Sequence, residues 1–332
     1  MEKIGSGVKR FFQSEVGAAV LWVLSALVLA AMISPWVYQG GKYFATVAAA
    51  QDLPAGLEWV GAACGRSKFS RFFNRSMLFS ALILLPWLWW RIQWLRTTGA
   101  TPALGRTKRV SWRTAALQIA LGCVIAGGML GVLGASLDAA GVFVPKATTV
   151  SLDQGLMKIF VPAVGASLLE EWLFRGLLLG LWLRFARPVT ACMGTALLFA
   201  FLHFLEPADG AIIVDPTHAL AGFVLLGKIL HHLTQPLFFV TDFATLAVCG
   251  LILAWGRVRT GALWFSMGLH AGWVMLFKGF NLFYQLVPNH AIHPWGVGEN
   301  LRSGVLPLIT LGVTALLSHW ALRIFSTERS CG

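Results

Sequence analysis

The chain has 332 residues, of which 57% are hydrophobic and only 12% are charged. Soluble domains are nearer one quarter charged, so this composition excludes a soluble globular protein and indicates an all-α, polytopic membrane protein. The net charge of +12 does not indicate a nucleic-acid-binding protein. The basic residues cluster at the ends of apolar runs, where they anchor and orient membrane helices.

Eight apolar runs of spanning length predict about eight transmembrane helices. They are Gly17–Tyr38, Met77–Trp94, Ala115–Leu137, Leu156–Leu183, Pro188–Leu205, Pro236–Trp255, Gly261–Phe277 and Gly304–Phe325. A ninth run, His218–Leu233, contains Lys228, His231 and His232, and we expect it to lie at the membrane interface. Residues 39–76 are expected to form the longest loop, with its basic, aromatic end KFSRFFNR on the membrane surface.

The first run is longer than the apolar region of a signal peptide, so it is interpreted as an uncleaved span. With both termini in the cytoplasm, the inner segments carry 15 basic residues and the outer segments carry 10. The positive-inside rule therefore favours cytoplasmic termini. We expect three regions: an N-terminal transmembrane region at 1–155, a core at 156–280, and a C-terminal loop with a final span at 281–332.

Ionisable residues interrupt the fourth run, LLEEWLFRGL, at Glu170, Glu171 and Arg175. Charges inside the bilayer are costly, and they are functional-site candidates by default. Glu171 and Arg175 are four residues apart and are expected to pair on one helix face. Glu170 is expected to face about 100° away, free to accept a proton.

Two histidines in other runs reach a similar depth in the membrane. From the same side of the bilayer, helix rise places Glu170 about 21 Å deep, His203 about 22 Å and His270 about 15 Å. We therefore expect an acid and two histidines from three helices to converge. The alternative for each histidine alone is an ordinary packing role.

These residues resemble the motifs of a known family. Glu170 to Arg175 resembles the EExxxR motif of the CAAX-protease and bacteriocin-processing family of intramembrane glutamic endopeptidases. Phe199 and His203 resemble its FxxxH motif, and RTGALWFSMGLHAG resembles its third motif, with His270 as the histidine. The resemblance extends over about 155–280.

The resemblance implies roles for these side chains. Glu170 would activate a water, His203 would help to hold that water, and His270 would stabilise the oxyanion at the scissile carbonyl. Glu171, Arg175 and Phe199 would support them, without a cofactor or a metal. Several family members have Asn four residues after the third-motif histidine, where this chain has Val274. Asn281 is a candidate replacement for that donor.

Other functions fit parts of the pattern. A Glu, His, His set could bind zinc in an intramembrane metalloprotease, although the chain has no HExxH motif. Val274 favours a non-catalytic membrane chaperone or immunity protein of the same fold. A proton-coupled transporter would use buried Glu and His as a relay, but the sequence has no inverted repeat.

The expected partners are the lipid bilayer and a membrane-anchored protein or peptide substrate, and no nucleic acid. The resemblance leaves open prenylated CAAX tails, bacteriocin leaders and C-terminal sorting tails as substrates. It favours a multi-pass protein of a bacterial inner membrane. Five cysteines without a CxxC pair indicate neither a disulfide framework nor a cysteine zinc site.

Overall fold

The computed structural model describes residues 14–98, 109–147, 150–184, 186–204, 213–232, 234–235 and 239–327. Its α-helices are α1 (Glu15–Ala50), α2 (Ala55–Arg66), α3 (Phe69–Thr98), α4 (Trp112–Ala139), α5 (Leu152–Glu170), α6 (Leu179–Trp182), α7 (Pro188–His203), α8 (Ala221–His232), α9 (Ala244–Thr260), α10 (Trp264–Phe283) and α11 (Val305–Thr327). Among the residues that the structure describes, two segments are π-helical, π1 (Glu171–Leu178) and π2 (Phe239–Phe243). Three-residue strands β1 (Phe143–Pro145) and β2 (Tyr284–Leu286) pair with each other. The predicted all-α class is confirmed.

Within the described residues, five helical segments are long and apolar enough to cross a membrane. They are Gly17–Ala50, Phe69–Trp94, Trp112–Ala139, Thr241–Thr260 and Val305–Arg323. Pro188–His203 is a shorter apolar helix. The chain is therefore a multi-pass membrane protein, and the count of eight spans stays a prediction, as does the division at 155 and 280.

The prediction of a loop at 39–76 is wrong, because nearly all of that stretch is helical. The first helix continues to Ala50, α2 follows, and α3 begins at Phe69 inside the KFSRFFNR segment. The apolar run stops near Tyr38, but the helix does not. A side chain at Gly41 would collide with the ring of Phe72, so this glycine permits α3 to pack closely on α1.

The first of two compact units contains residues Met1–Thr101 and His203–Gln235. Its central helix is α1, which packs against α2, α3 and α8. The indole Nε1 of Trp22 donates to the carbonyl of Ala81 at 3.0 Å, which joins α1 to α3. Gly222 of α8 lies against the backbone of Ala31, where no larger residue would fit.

The second unit contains Pro102–Leu202 and Pro236–Gly332. In it, α10 packs against α4, α5 and α9, and α11 packs against α4 and α9. Its apolar core includes Phe143, Leu253, Phe265, Leu269 and Leu301, each buried. This core surrounds α10, the helix that carries His270.

The closest helix pair in this unit is α4 with α10. A Cβ on Gly122 would lie 2.6 Å from the Phe265 carbonyl oxygen, and one on Gly272 would lie 2.6 Å from the Cys123 carbonyl oxygen. The residue numbers of the contacting positions rise together along α4 and α10, so the two helices are parallel. Beyond their ends, β1 pairs antiparallel with β2, with Phe143 opposite Leu286. Glycines in contact with facing backbone fix the depth and rotation of α10, as small residues do in membrane helix pairs.

Candidate active site

Glu170 and Glu171 lie where an α-helix changes to a π-helix. Glu170 is the last residue of α5, Glu171 opens π1, and the helical stretch continues without a break to Trp182. π-turns inside α-helices are rare and are often found at functional sites. The sequence predicted one ordinary helix here, since a few residues of altered winding leave little trace in an apolar pattern.

The predicted pair of Glu171 and Arg175 is present. Arg175 Nη1 donates to Glu171 Oε1 at 3.0 Å, and the side chains of Arg175 and Glu171 are 1% and 0% exposed. Arg175 Nη2 also donates to the carbonyl oxygen of Gly250 at 3.1 Å. Arg175 thus joins π1 to α9 while it neutralises Glu171.

Aromatic rings surround the guanidinium of Arg175. Its Cζ lies 4.3 Å from the ring centroid of Phe199 and 5.7 Å from that of Phe174. The two rings meet edge to face at 5.0 Å. A guanidinium over an aromatic face is attracted by the ring quadrupole, more strongly where water is excluded. Phe199 therefore stabilises the buried charge, as does Phe174, which the motifs did not indicate.

His270 contacts both glutamates. Its Nδ1 lies 2.9 Å from Glu171 Oε1, and its Nε2 lies 3.8 Å from Glu170 Oε2. The depth comparison predicted that Glu170 and His270 meet, and they do. The prediction that Glu170 faces away from the Glu171 group is wrong, because the imidazole presents its two nitrogens to two neighbouring carboxylates.

The two carboxylates differ in their access to solvent. The Glu170 side chain is 30% exposed, whereas that of Glu171 is fully buried and that of His270 is 8% exposed. The ring of Phe199 packs edge to face on His270 with centroids 6.1 Å apart. Of the two acids, Glu170 is the one that an incoming molecule can reach.

Five of the six predicted residues lie together in the second unit: Glu170, Glu171, Arg175, Phe199 and His270. His203 is the last residue of α7, one turn after Phe199, where the chain passes into the first unit. Its role stays a prediction.

Val274 lies one turn after His270 on α10. Asn281 is on the same helix, but it is about 10 Å further along the axis than Val274. It therefore does not replace the missing Asn.

Gly250 was not predicted as part of this group. A backbone carbonyl can belong to any residue, so no motif marks it. In the described part of the chain, no group of three or more His, Cys, Asp and Glu residues is arranged to hold a metal ion.

Comparison with known proteins gives one family. Residues 153–276 match the family model described as Rce1-like, type II CAAX prenyl endopeptidase Rce1-like. No curated protein and no solved structure matches the chain. The matched segment contains all six predicted residues and agrees with the resemblance found in the motifs. Over residues 153–276, the chain is therefore similar to the Rce1-like family of type II CAAX prenyl endopeptidases.

Proposed function

We propose that this protein is an intramembrane glutamic endopeptidase in which Glu170 activates a water for attack on a peptide bond. The observation that carries the proposal is that two glutamates with different solvent exposure lie beside one histidine, His270. Glu171 is buried and bound by Arg175, while Glu170 is 30% exposed and lies 3.8 Å from His270 Nε2. A site with one accessible acid beside a histidine supplies a general base and a hydrogen-bonding partner.

The charges of the group support this division of roles. Arg175 has a permanent positive charge, and its Nη1 lies 3.0 Å from Glu171 Oε1. Glu171 is therefore held as an ion and has no access to a substrate. Glu170 remains as the acid that can exchange a proton with a water.

The reaction has two steps. In the first, Glu170 takes a proton from the water as the water oxygen bonds to the scissile carbonyl carbon, which leaves a tetrahedral oxyanion. In the second, the carbonyl re-forms, the carbon–nitrogen bond breaks, and the proton on Glu170 passes to the leaving amine. The products are a carboxylic acid and an amine, which become a carboxylate and an ammonium by proton exchange, and the enzyme returns to its starting state.

The histidines assist at different points. We assign His270 to the oxyanion, because its Nε2 faces the same region as Glu170. Donors of this kind lower the activation barrier, typically by ~3–4 kcal/mol. We assign His203 to the water on the basis of its FxxxH motif with Phe199.

The substrate that we propose is a protein or peptide held in the membrane near the scissile bond. The description of the matched family names CAAX prenyl endopeptidases, which cleave a peptide bond in a prenylated CAAX tail. Peptide leaders and C-terminal tails also present a peptide bond close to the membrane. We place the protein in a bacterial inner membrane.

A non-catalytic chaperone or immunity role is the second candidate, and Val274 favours it. This side chain lies one turn from His270, where an amide would supply a second oxyanion donor, and it has no hydrogen-bonding group.

Hydrolysis in ¹⁸O-labelled water separates these functions. The purified protein is mixed with lipid-anchored and transmembrane peptides, and the products are analysed by mass spectrometry. The proposal predicts cleavage at one bond, with one ¹⁸O atom in the new carboxylate. Intact peptides across the whole panel, with the protein folded, would favour the chaperone role.

A further inference from the structure

The contacts of Glu171 determine which nitrogen of His270 carries a proton. Glu171 Oε1 accepts from Arg175 Nη1 at 3.0 Å and lies 2.9 Å from His270 Nδ1. A guanidinium can only donate hydrogen bonds, and it remains charged in proteins. Its partner is therefore the ionised carboxylate, which can only accept.

A protonated Glu171 does not fit the same contacts. The proton would lie on Oε2, because Oε1 already accepts from Arg175. Oε2 is buried, and no hydrogen-bond partner lies near it within the described residues. A hydroxyl there would be buried without an acceptor, which costs ~1–3 kcal/mol, and Arg175 would lose its counter-charge.

We infer that Glu171 is a positioning residue that keeps the proton of His270 on Nδ1 and so directs Nε2 toward Glu170. This inference rests on the proposed function for its catalytic meaning, but the tautomer itself can be measured without a substrate. In the neutral ring, Nε2 then carries a lone pair. In the imidazolium, Nε2–H donates to the oxyanion. That proton is on the ring before the water attacks and stays there, so the proton of the water goes to Glu170 alone.

The surroundings of the ring support a fixed orientation. The His270 side chain is 8% exposed, and the rings of Phe199 and His270 pack edge to face. Arg175 holds Glu171 from the other side and is anchored to the Gly250 carbonyl oxygen. A carboxylate that orients a catalytic imidazole in this way can be worth ~10⁴-fold in kcat, as replacement of the serine-protease aspartate by asparagine shows.

Nitrogen NMR of the purified protein with ¹⁵N-labelled histidine tests the inference. Protonated and unprotonated ring nitrogens have well-separated shifts, and His270→Ala identifies the His270 signals. The inference predicts a protonated Nδ1 in the wild type. A neutral His270 ring with its proton on Nε2 would overturn it.

Glu171→Gln adds a kinetic readout, since an amide can donate to Nδ1 and permits the other tautomer. Its kcat should fall by ~10²-fold or more with little change in KM, and Glu171→Asp should recover part of the loss. Glu58→Gln, the same change at an exposed position of α2, is the matched control. Unchanged kcat in Glu171→Gln would also overturn the inference. If the wild type shows the predicted tautomer but cleaves nothing, the proposed function fails and the positioning role stands.

Discussion

Arg175 is a full charge at a site that is 1% exposed, and three kinds of contact make this possible. Glu171 supplies the counter-charge, Gly250 supplies a carbonyl acceptor, and Phe199 supplies an aromatic face. Each contact offsets part of the desolvation cost of the guanidinium. Removing one of them while the charge remains should be worse than removing the charge as well.

Glu171→Ala should therefore harm folding as well as activity. Breaking a buried pair by removing one partner costs ~3–5 kcal/mol, because the other charge remains uncompensated. The double change Glu171→Ala, Arg175→Ala should express better than the single change, although it also loses the bond to Gly250. Yield and thermal unfolding in detergent measure this. Equal behaviour of the single and double variants would show that the pair is not structural.

His270→Ala should lower turnover by ~10²–10³-fold, the usual loss for one oxyanion donor. Val274→Asn should be neutral or mildly activating, since it places an amide one turn from His270. Steady-state kinetics on a membrane-anchored peptide measure both changes. Full activity in His270→Ala would remove this histidine from the mechanism.

At the scale of elements, the position of His270 depends on a helix outside the matched segment. α4 lies before residue 153, yet its glycines contact the backbone of α10 on either side of His270. A Cβ on Gly122 would lie 2.7 Å from the Leu269 nitrogen, next to His270 in sequence. The N-terminal part of the chain therefore contributes to the geometry of the site.

Gly122→Ala should separate α4 from α10 and reduce both stability and cleavage. Gly128→Ala, on the same helix, is the control, since nothing lies within 4 Å of its added Cβ. In an exposed helix interior this change typically stabilises by ~0.5–1 kcal/mol. Thermal unfolding and peptide cleavage should therefore separate the two variants. Equal stability and activity would show that the close contact at Gly122 does not position α10.

The sequence predicted most of the helices, the Glu171–Arg175 pair and the meeting of Glu170 with His270. These features follow from apolar runs, four-residue spacing and helix rise. The extension of α1 to Ala50 was missed because the apolar run ends near Tyr38, whereas in the structure the helix continues and Gly41 permits close packing. The π-turn and the second contact of Glu171 were missed because they depend on local winding and on the facing helix.

In several long helices of the molecule, an arginine stacks on a tryptophan near the end of the helix. Arg91 lies over Trp94 at 4.6 Å in α3, Arg113 over Trp112 at 5.6 Å in α4, and Arg323 over Trp320 at 4.9 Å in α11. Such pairs are typical of the membrane interface. They agree with the use of basic residues as anchors.

We predict that both termini are cytoplasmic, because this orientation places 15 basic residues inside and 10 outside. An impermeant maleimide applied to intact cells should label Cys64 of α2 and leave Cys331 unlabelled. Cys331 lies outside the described residues. Single-cysteine variants separate these signals from the helix cysteines Cys123, Cys192 and Cys249. Labelling of Cys331 without labelling of Cys64 would contradict the predicted topology and indicate the opposite orientation.

In the proposed mechanism Glu170 is the general base, and Glu170→Gln removes this function alone. The amide keeps the size of the side chain but cannot take the proton of a water. Cleavage of a membrane-anchored peptide by purified protein is measured with and without EDTA, beside the thermal stability of each variant and the Glu58→Gln control. We expect Glu170→Gln and His203→Ala to abolish cleavage at near wild-type stability, and EDTA to leave the wild type active. Cleavage that survives Glu170→Gln, or that is lost with EDTA and restored by zinc, would contradict the proposed mechanism.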